Sequence, residues 1–248
     1  MRQIIVSGGG TGIGRATAEA FAALGDTVVI TGRRPDVLRQ AADEIRLAAG
    51  HERVVPQPAD LSTPEGAVQV ALAVRRLGMG SIDAVVHAAG GVDQLVTESL
   101  NDVATVWNRD FQRNVLTAVL LTEALRPDLK RPGGRIILIS SVAAINGGGG
   151  SYSAAKAALH GWVVSLAKEL GPVGITANAI APGYVTDTEF FGDRMTLERH
   201  LRLVSRTVVG RAGLPTDIAA ASVYLASREA SYVTGQVLHV NGGAAFGR

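Results

Sequence analysis

Short apolar runs rich in β-branched residues alternate along the chain with longer stretches in which apolar residues recur at helical spacing. The runs predict strands near Gln3 to Val6, Thr27 to Thr31, Val54 to Gln57, Ala84 to His87, Arg135 to Ile139, Thr176 to Ile180 and Val237 to Val240. A helical stretch follows each of them except the last; the first runs through Ala16, Ala20, Phe21 and Leu24. Strands that alternate with helices are the signature of βαβ units, so the pattern predicts an α/β fold on a parallel sheet. Between the fourth and fifth strands, Val103, Trp107, Phe111, Val115 and Val119 recur every four residues and predict one apolar face of a long helix. Neither an internal repeat nor a low-complexity linker interrupts the alternation.

Composition narrows the function classes. The chain has 248 residues, 47% of them hydrophobic, enough for one large core, so residues 1–248 are expected to form a single domain with no separate substrate domain. Lys and Arg number 24 against 22 Asp and Glu, and the charges are scattered, which argues against a nucleic-acid partner. Cysteine is absent, which excludes disulfides, cysteine-zinc sites and thiol catalysis. His51, His160, His200 and His239 lack metal-ligand spacing, so solvated or core roles are expected for them and no metal. MRQIIVSGGG leads directly into the first strand without a signal peptide, and no apolar run reaches about 18 residues; a soluble cytoplasmic protein with no membrane partner is expected.

The first strand ends in Ser7-Gly8-Gly9-Gly10-Thr11-Gly12-Ile13-Gly14, and a helix follows. Strand, glycine turn and helix form the context of a dinucleotide site: glycines let the backbone approach a pyrophosphate, whose charge meets the helix N-terminus. The fold expected is therefore a Rossmann-type, doubly wound parallel sheet of seven strands flanked by helices. After the second strand the chain reads Thr31-Gly32-Arg33-Arg34. An acid usually binds the adenosine ribose hydroxyls at this position, whereas an arginine accommodates a 2′-phosphate. Gly32 replaces the acid and Arg33 follows, so NADP(H) is favoured over NAD(H), the alternative being that both arginines are merely a solvated turn.

Chemistry concentrates between Ile136 and Lys156. The strand ends in Ser140 and Ser141, four glycines from Gly147 to Gly150 break the pattern, and a helix begins near Tyr152. Tyr152 and Lys156 are four apart and share one helix face. A tyrosine is a poor base at neutral pH, its ordinary pKa being about 10. A lysine ammonium beside it favours the phenolate, and a serine hydroxyl can hold a carbonyl or alcohol oxygen. Tyr-x-x-x-Lys alone arises often by chance, so its meaning comes from the glycine motif upstream.

Together, Gly8 to Gly14, Ser141, Tyr152 and Lys156 make the chain resemble the short-chain dehydrogenase/reductase family over essentially its whole length, and within it the 3-oxoacyl-acyl-carrier-protein reductases. The resemblance implies that Gly8, Gly10, Thr11, Gly12, Ile13 and Gly14 cradle the pyrophosphate, with Arg33 and Arg34 at the 2′-phosphate. It implies that Asp60 and Leu61 lie at the adenine, and that Ala88, Ala89 and Gly90 let the backbone pass close to the cofactor. Tyr152 and Lys156 would touch the cofactor too, and Pro182, Gly183, Val185 and Thr186 would surround the nicotinamide. Asn114 falls at the family's catalytic asparagine, which perturbs its helix and holds a water in a proton relay to Lys156. Ser141 is preferred over Ser140 because family strands end that way. Three departures stand out: Thr11 is not basic, His87-Ala88 replaces Asn-Asn, and only ten residues separate Ser141 from Tyr152. His87 is expected to be packed and hydrogen-bonded. Asp60 could equally be a turn or helix-cap residue ahead of Ser62-Thr63-Pro64-Glu65. Residues about 187–208, with Phe190, Phe191, Met195 and Leu197, read as a lid or as a plain surface hairpin.

The activity implied is interconversion of a ketone and a secondary alcohol: hydride from the nicotinamide, the proton from Tyr152, the oxygen held by Ser141, and Lys156 depressing the tyrosine pKa. The substrate would be a small carbonyl or alcohol, free or carrier-bound. Lys130, Arg131, Arg194, Arg199, Arg202 and Arg206 are candidates to meet an acidic carrier. Reduction of a free ketone, quinone, steroid or sugar is the alternative, and a non-catalytic NADP-sensing regulator is one of another class. Family members associate through the helix of Asn114 and the helix of Tyr152, so a homotetramer or homodimer is expected, with Trp162 as core or interface.

Overall fold

The computed structural model describes residues 1–93, 95 and 97–246, apart from the side chain of Asp193. Seven strands, β1 (Gln3–Ser7), β2 (Thr27–Gly32), β3 (Val54–Pro58), β4 (Ala84–His87), β5 (Arg135–Ile139), β6 (Thr176–Pro182) and β7 (Val237–Val240), form one sheet in the order β3-β2-β1-β4-β5-β6-β7. All six pairings are parallel. Several strands extend one or two residues past their apolar runs because ladder pairing continues there, as at Gly32 opposite Pro58 and Pro182 opposite Val240.

Alternate side chains of each strand enter opposite cores, as the two-residue period requires. Ile4, Val6, Val28, Ile30, Ile137 and Ile139 pack against α1 (Gly12–Ala23), α2 (Pro35–Ala49) and α9 (Pro215–Leu225). Ile5, Val29, Val85, Ile136 and Leu138 pack against α3 (Pro64–Arg76), α5 (Thr117–Leu125) and α7 (Ser151–Leu170). The remaining helices are α4 (Leu100–Phe111), α6 (Ala143–Asn146) and α8 (Leu197–Val204). After β3 the chain returns to pair β4 with β1, so strand order reverses there. In open α/β sheets, ligands bind in the crevice at the carboxyl ends of strands at that reversal.

Local chemistry sets the helix ends. Pro35, Pro64 and Pro215 sit in the first turns of α2, α3 and α9, where a missing N–H costs nothing. Ser99 and Asp102 cap α4 reciprocally, each side chain accepting from the other's backbone N–H. Thr63 caps α3, its hydroxyl accepting from Gly66 N at 3.1 Å. The cap is therefore not Asp60, whose carboxylate folds a turn on Ser62 N and Oγ.

The long helix forms, unbroken from α4 into α5, but without one continuous apolar face. Gln112–Leu116 is a π-helical turn between α4 and α5. At its centre Asn114 Nδ2 donates to Asp110 O at 2.9 Å, a side-chain intrusion of the kind that distorts a helix. The turn breaks the register of the stripe: Val115 is buried, whereas Val103, Trp107 and Phe111 are 39%, 50% and 44% exposed. Toward the protein interior α4 presents Asp110, 1% exposed.

His87, at the end of β4, is fully buried with Nε2 2.9 Å from Thr122 Oγ1 and Nδ1 unpartnered. Burial pushes its pKa down to about 3, so it stays neutral where the unfolded chain binds a proton. Stability is therefore full above about pH 6.5 and is lost as pH falls toward 3, by up to about 4 kcal/mol. In urea unfolding between pH 7 and pH 4, His87→Gln is expected to lose less stability than the wild type; equal losses would show that another group carries the acid sensitivity.

Candidate active site

A cleft of about 1450 Å³ opens at the carboxyl ends of β1, β2, β4, β5 and β6. Its floor begins with the glycine turn. A Cβ at Gly14 would stand 2.2 Å from Gly8 O, so only glycine lets α1 start this close to the turn. Thr11 precedes α1 without a side-chain cap bond, and the first turn of α1 carries no acidic residue, so backbone N–H groups face the cleft unopposed. This cradle fits the pyrophosphate of a dinucleotide, which Gly8, Gly10, Thr11, Gly12, Ile13 and Gly14 would hold.

At the end of the cleft beside β2 and β3, Arg33 and Asp60 are neighbours, and the arginine's charge helps hold Asp60 below the usual carboxylate range, after the hydrogen bonds from Ser62. Arg33 makes no ion pair among the described residues. Arg34, assigned to the same phosphate from sequence, instead pairs with Glu189 across the cleft mouth at 2.7 Å. Leu61, Ala88, Ala89 and Gly90 line the cleft as expected.

The reacting end is built from β5, α7 and the segment after β6. Ser141 faces the cleft, its Oγ accepting from Ala143 N at 3.1 Å and its hydroxyl lying close enough to the Tyr152 phenol to favour the phenolate. Ser140 points the other way: it is 3% exposed and is held by Lys156 O and His160 Nε2 at 3.1 and 2.8 Å. Tyr152 and Lys156 lie one turn apart on α7, both buried. Lys156 Nζ donates to Ile139 O at 2.9 Å and lies 5.8 Å from the Tyr152 ring centre. Burial pushes Lys156 down to about 8. It also pushes Tyr152 up to about 12, against the Ser141 hydrogen bond and with help from the charge of Asp110. The expectation that Lys156 pulls the tyrosine below its ordinary value is thus not met in this arrangement, because desolvation of both groups dominates.

Asn114 does not line the cleft. It is 1% exposed and braces the loop after β4, donating to Gly91 O at 2.7 Å and accepting from Gly91 N at 3.0 Å. A Cβ at Gly90 would meet Asn114 Oδ1 at 2.7 Å and Lys156 Nζ at 3.0 Å, so the two side chains stand together behind that glycine. Pro182, Gly183 and Val185 reach the cleft. Thr186 does not: its N–H and hydroxyl both donate to Gly213 O, at 3.0 and 3.3 Å. Thr188 does line the cleft, packed over Gly12. Asp187, between the two threonines, has a left-handed backbone at φ 56°.

The expected lid comprises a 3₁₀ turn, Gly192–Arg194, and α8. Phe190 packs on Tyr152 with ring centres 5.2 Å apart, and Phe191 packs on Phe190 and Tyr184. Tyr184 OH meets His200 Nδ1 at 2.8 Å, and the Arg199 guanidinium lies 5.0 Å from the Phe191 centre. Arg194, Arg199, Arg202 and Arg206 line the cleft. Lys130 and Arg131 do not: they precede β5 at the opposite end of the sheet, where Lys130 pairs with Asp83 at 2.7 Å.

Four likenesses accord with this geometry. A family model described as enoyl-(acyl carrier protein) reductase matches residues 8–245. The chain is 36% identical over 246 residues to short-chain reductase protein NovJ of Streptomyces niveus, covering 96% of this chain and 92% of that protein. It is 35% identical over 244 residues to 3-oxoacyl-(acyl-carrier-protein) reductase FabG of Escherichia coli (strain K12), covering 96% and 95%. Among solved structures, a Pseudomonas aeruginosa RhlG/NADP active-site complex superposes with a TM-score of 0.88 at 30% identity, covering 98% of this chain and 96% of that one. With a glycine cradle at the strand reversal, a Ser-Tyr-Lys cluster at its inner end and relatives alike over nearly their full length, the chain belongs to the short-chain dehydrogenase/reductase family, whose members are oxidoreductases acting on CH–OH and C=O groups with NAD(P).

Proposed function

We propose that the protein is an NADP(H)-dependent reductase of 3-oxoacyl thioesters, with Tyr152 as proton donor. What carries the reading is the convergence of Ser141, Tyr152 and Lys156 on one end of a cleft whose other end holds the unpaired Arg33. When bound, the dinucleotide supplies the hydride. Ser141 fixes the substrate oxygen through its hydroxyl, whose own oxygen is satisfied by Ala143 N. Tyr152, buried and protonated at neutral pH, gives its proton to that oxygen as negative charge develops there. Lys156 supplies a cation beside the phenol, and Asn114 keeps the Gly90–Gly91 backbone and Lys156 in register. Phe190 over Tyr152 excludes water from the proton transfer.

The thioester is favoured by the likeness to FabG and by the four lid arginines, which suit an acidic carrier or the phosphates of a coenzyme A. A second reading, reduction of a free bulky ketone, is favoured by the apolar wall of Phe190 and Phe191. Exposed Leu100, Val103, Trp107 and Phe111 on α4 support self-association through that helix into a homotetramer or homodimer. None of the described helices is long and apolar enough to cross a membrane, and a cytoplasmic location goes with this reading.

The test is a fluorescence titration with NADPH and NADH, followed by absorbance assays on acetoacetyl-coenzyme A and cyclohexanone. NADPH is expected to bind more tightly, and Arg33→Ala to weaken it about 10- to 100-fold while leaving NADH unchanged, the size of one charge-assisted contact. Equal effects on both cofactors would remove the phosphate assignment. Binding without turnover on either carbonyl would favour an NADP sensor.

A further inference from the structure

Asp110 is a buried carboxylate that the mechanism above does not use. It is 1% exposed and joins three parts of the reacting end. Its Oδ2 accepts from Ser151 Oγ at 2.7 Å, in the first turn of α7 and immediately before Tyr152. Its Oδ1 accepts from Asp93 N at 2.8 Å, in the segment after β4. Its backbone O accepts from Asn114 Nδ2 at 2.9 Å. No cation neutralises it among the described residues: Arg109 and Arg113, on either side in the chain, are turned to Asp93 at 3.9 and 3.7 Å. What stabilises the charge instead is the pair of short hydrogen bonds and the N-terminus of α7, a helix of 20 residues whose dipole ends there.

We propose that Asp110 is a positioning residue for the reaction, fixing the first turn of α7 through Ser151 so that Tyr152 stays aligned with Ser141 and the loop braced by Asn114. This rests on the reading of Tyr152 as proton donor. The carboxylate also acts on Tyr152 through space, because a buried negative charge disfavours a second one nearby, and the charge of Asp110 adds to the burial that raises the phenol's pKa. The other charged groups facing this region are Lys156 on α7, Asp93 with Arg109 and Arg113, and Arg199 on the lid. They are common to wild type and variants, so a difference between the two reports Asp110 alone. The consequence is a bias toward reduction: the negative charge preserves the protonated phenol that reduction needs and opposes the phenolate that alcohol oxidation needs.

The experiment measures kcat and KM against pH with NADPH and the more active of acetoacetyl-coenzyme A and cyclohexanone, and in reverse with the product alcohol. Asp110→Asn keeps the size of the side chain and its capacity to bond both Ser151 and Asp93 N, and removes the charge. Its reduction rate is expected to fall off at lower pH on the alkaline side than wild type, and its oxidation to begin at correspondingly lower pH. Ser151→Ala keeps the charge and cuts the link, so kcat is expected to fall about 10-fold with the NADPH KM and the pH midpoint unchanged. A pH profile for Asp110→Asn that superimposes on wild type in both directions overturns the proposal. Should that variant fail to fold, an unchanged kcat in Ser151→Ala overturns it equally. Wild-type turnover in Tyr152→Phe would overturn this proposal together with the functional reading, whereas loss there beside an unshifted Asp110→Asn profile overturns this proposal alone.

Discussion

Tyr152→Phe is expected to lower carbonyl reduction by about 10²–10⁴-fold, the range for removing a positioned acid, while NADPH binding stays within about twofold. The variant deletes one oxygen. The ring remains in its place against Phe190, and Lys156 keeps its hydrogen bond to Ile139 O, so the wall of the cleft is unchanged. Ser141 still accepts from Ala143 N, which limits the cost to stability to about 1 kcal/mol. Steady-state rates and cofactor fluorescence measured on the same preparation separate chemistry from binding. Turnover at the wild-type rate would remove Tyr152 from the mechanism.

Lys156→Met is expected to abolish most turnover and yet to stabilise the fold below about pH 8. The ammonium is fully buried with one protein partner, Ile139 O, and burial lowers its pKa from 10.5 to about 8. That drop corresponds to about 3 kcal/mol against keeping a charged lysine in this place. Methionine fills a similar volume without the charge but leaves Ile139 O unpaired, which offsets about 1–2 kcal/mol. The net gain is about 1–2 kcal/mol at pH 6.5. The sign reverses with pH: between about 8 and 10.5 the unfolded wild-type chain holds a proton on Lys156 that the folded chain does not, so wild-type stability rises there and the variant's advantage disappears. Urea unfolding at pH 6.5 and pH 9.5 reads this directly. A variant less stable than wild type at pH 6.5 would show that the ammonium is better compensated than its single hydrogen bond indicates.

Such a residue, costly to the fold and kept for chemistry, is where local rules fail in a functional site. It also explains which parts of the molecule were open to a reading of the sequence. The central strands β1, β2, β4 and β5 were legible because their apolar, largely β-branched runs are buried on both faces, and the glycine turn was legible because Gly14 lies against Gly8 O with no room for a side chain. Tyr152 and Lys156 share a face by helical spacing alone, and together with Ser141 and the glycine turn from Gly8 to Gly14 they carried the resemblance to the family.

Contacts between segments distant in sequence were decided only on folding. Arg33 and Arg34 are adjacent and chemically identical, yet Glu189, 155 residues beyond Arg34, pairs with one and leaves the other to face Asp60. Lys130 and Arg131 seemed equivalent to the lid arginines until strand direction put them at the far end of the sheet. Trp107 and Phe111 matched a buried helix face, but the side chain of Asn114, engaged with Gly91 across 23 residues as well as with Asp110, sits in a π turn, and both aromatic residues are exposed. Periodicity and glycine placement are short-range properties, and the sequence carries them by itself. Charge pairing, burial of ionisable groups and the pKa values that follow depend on which distant segments meet, and those only the tertiary structure decides.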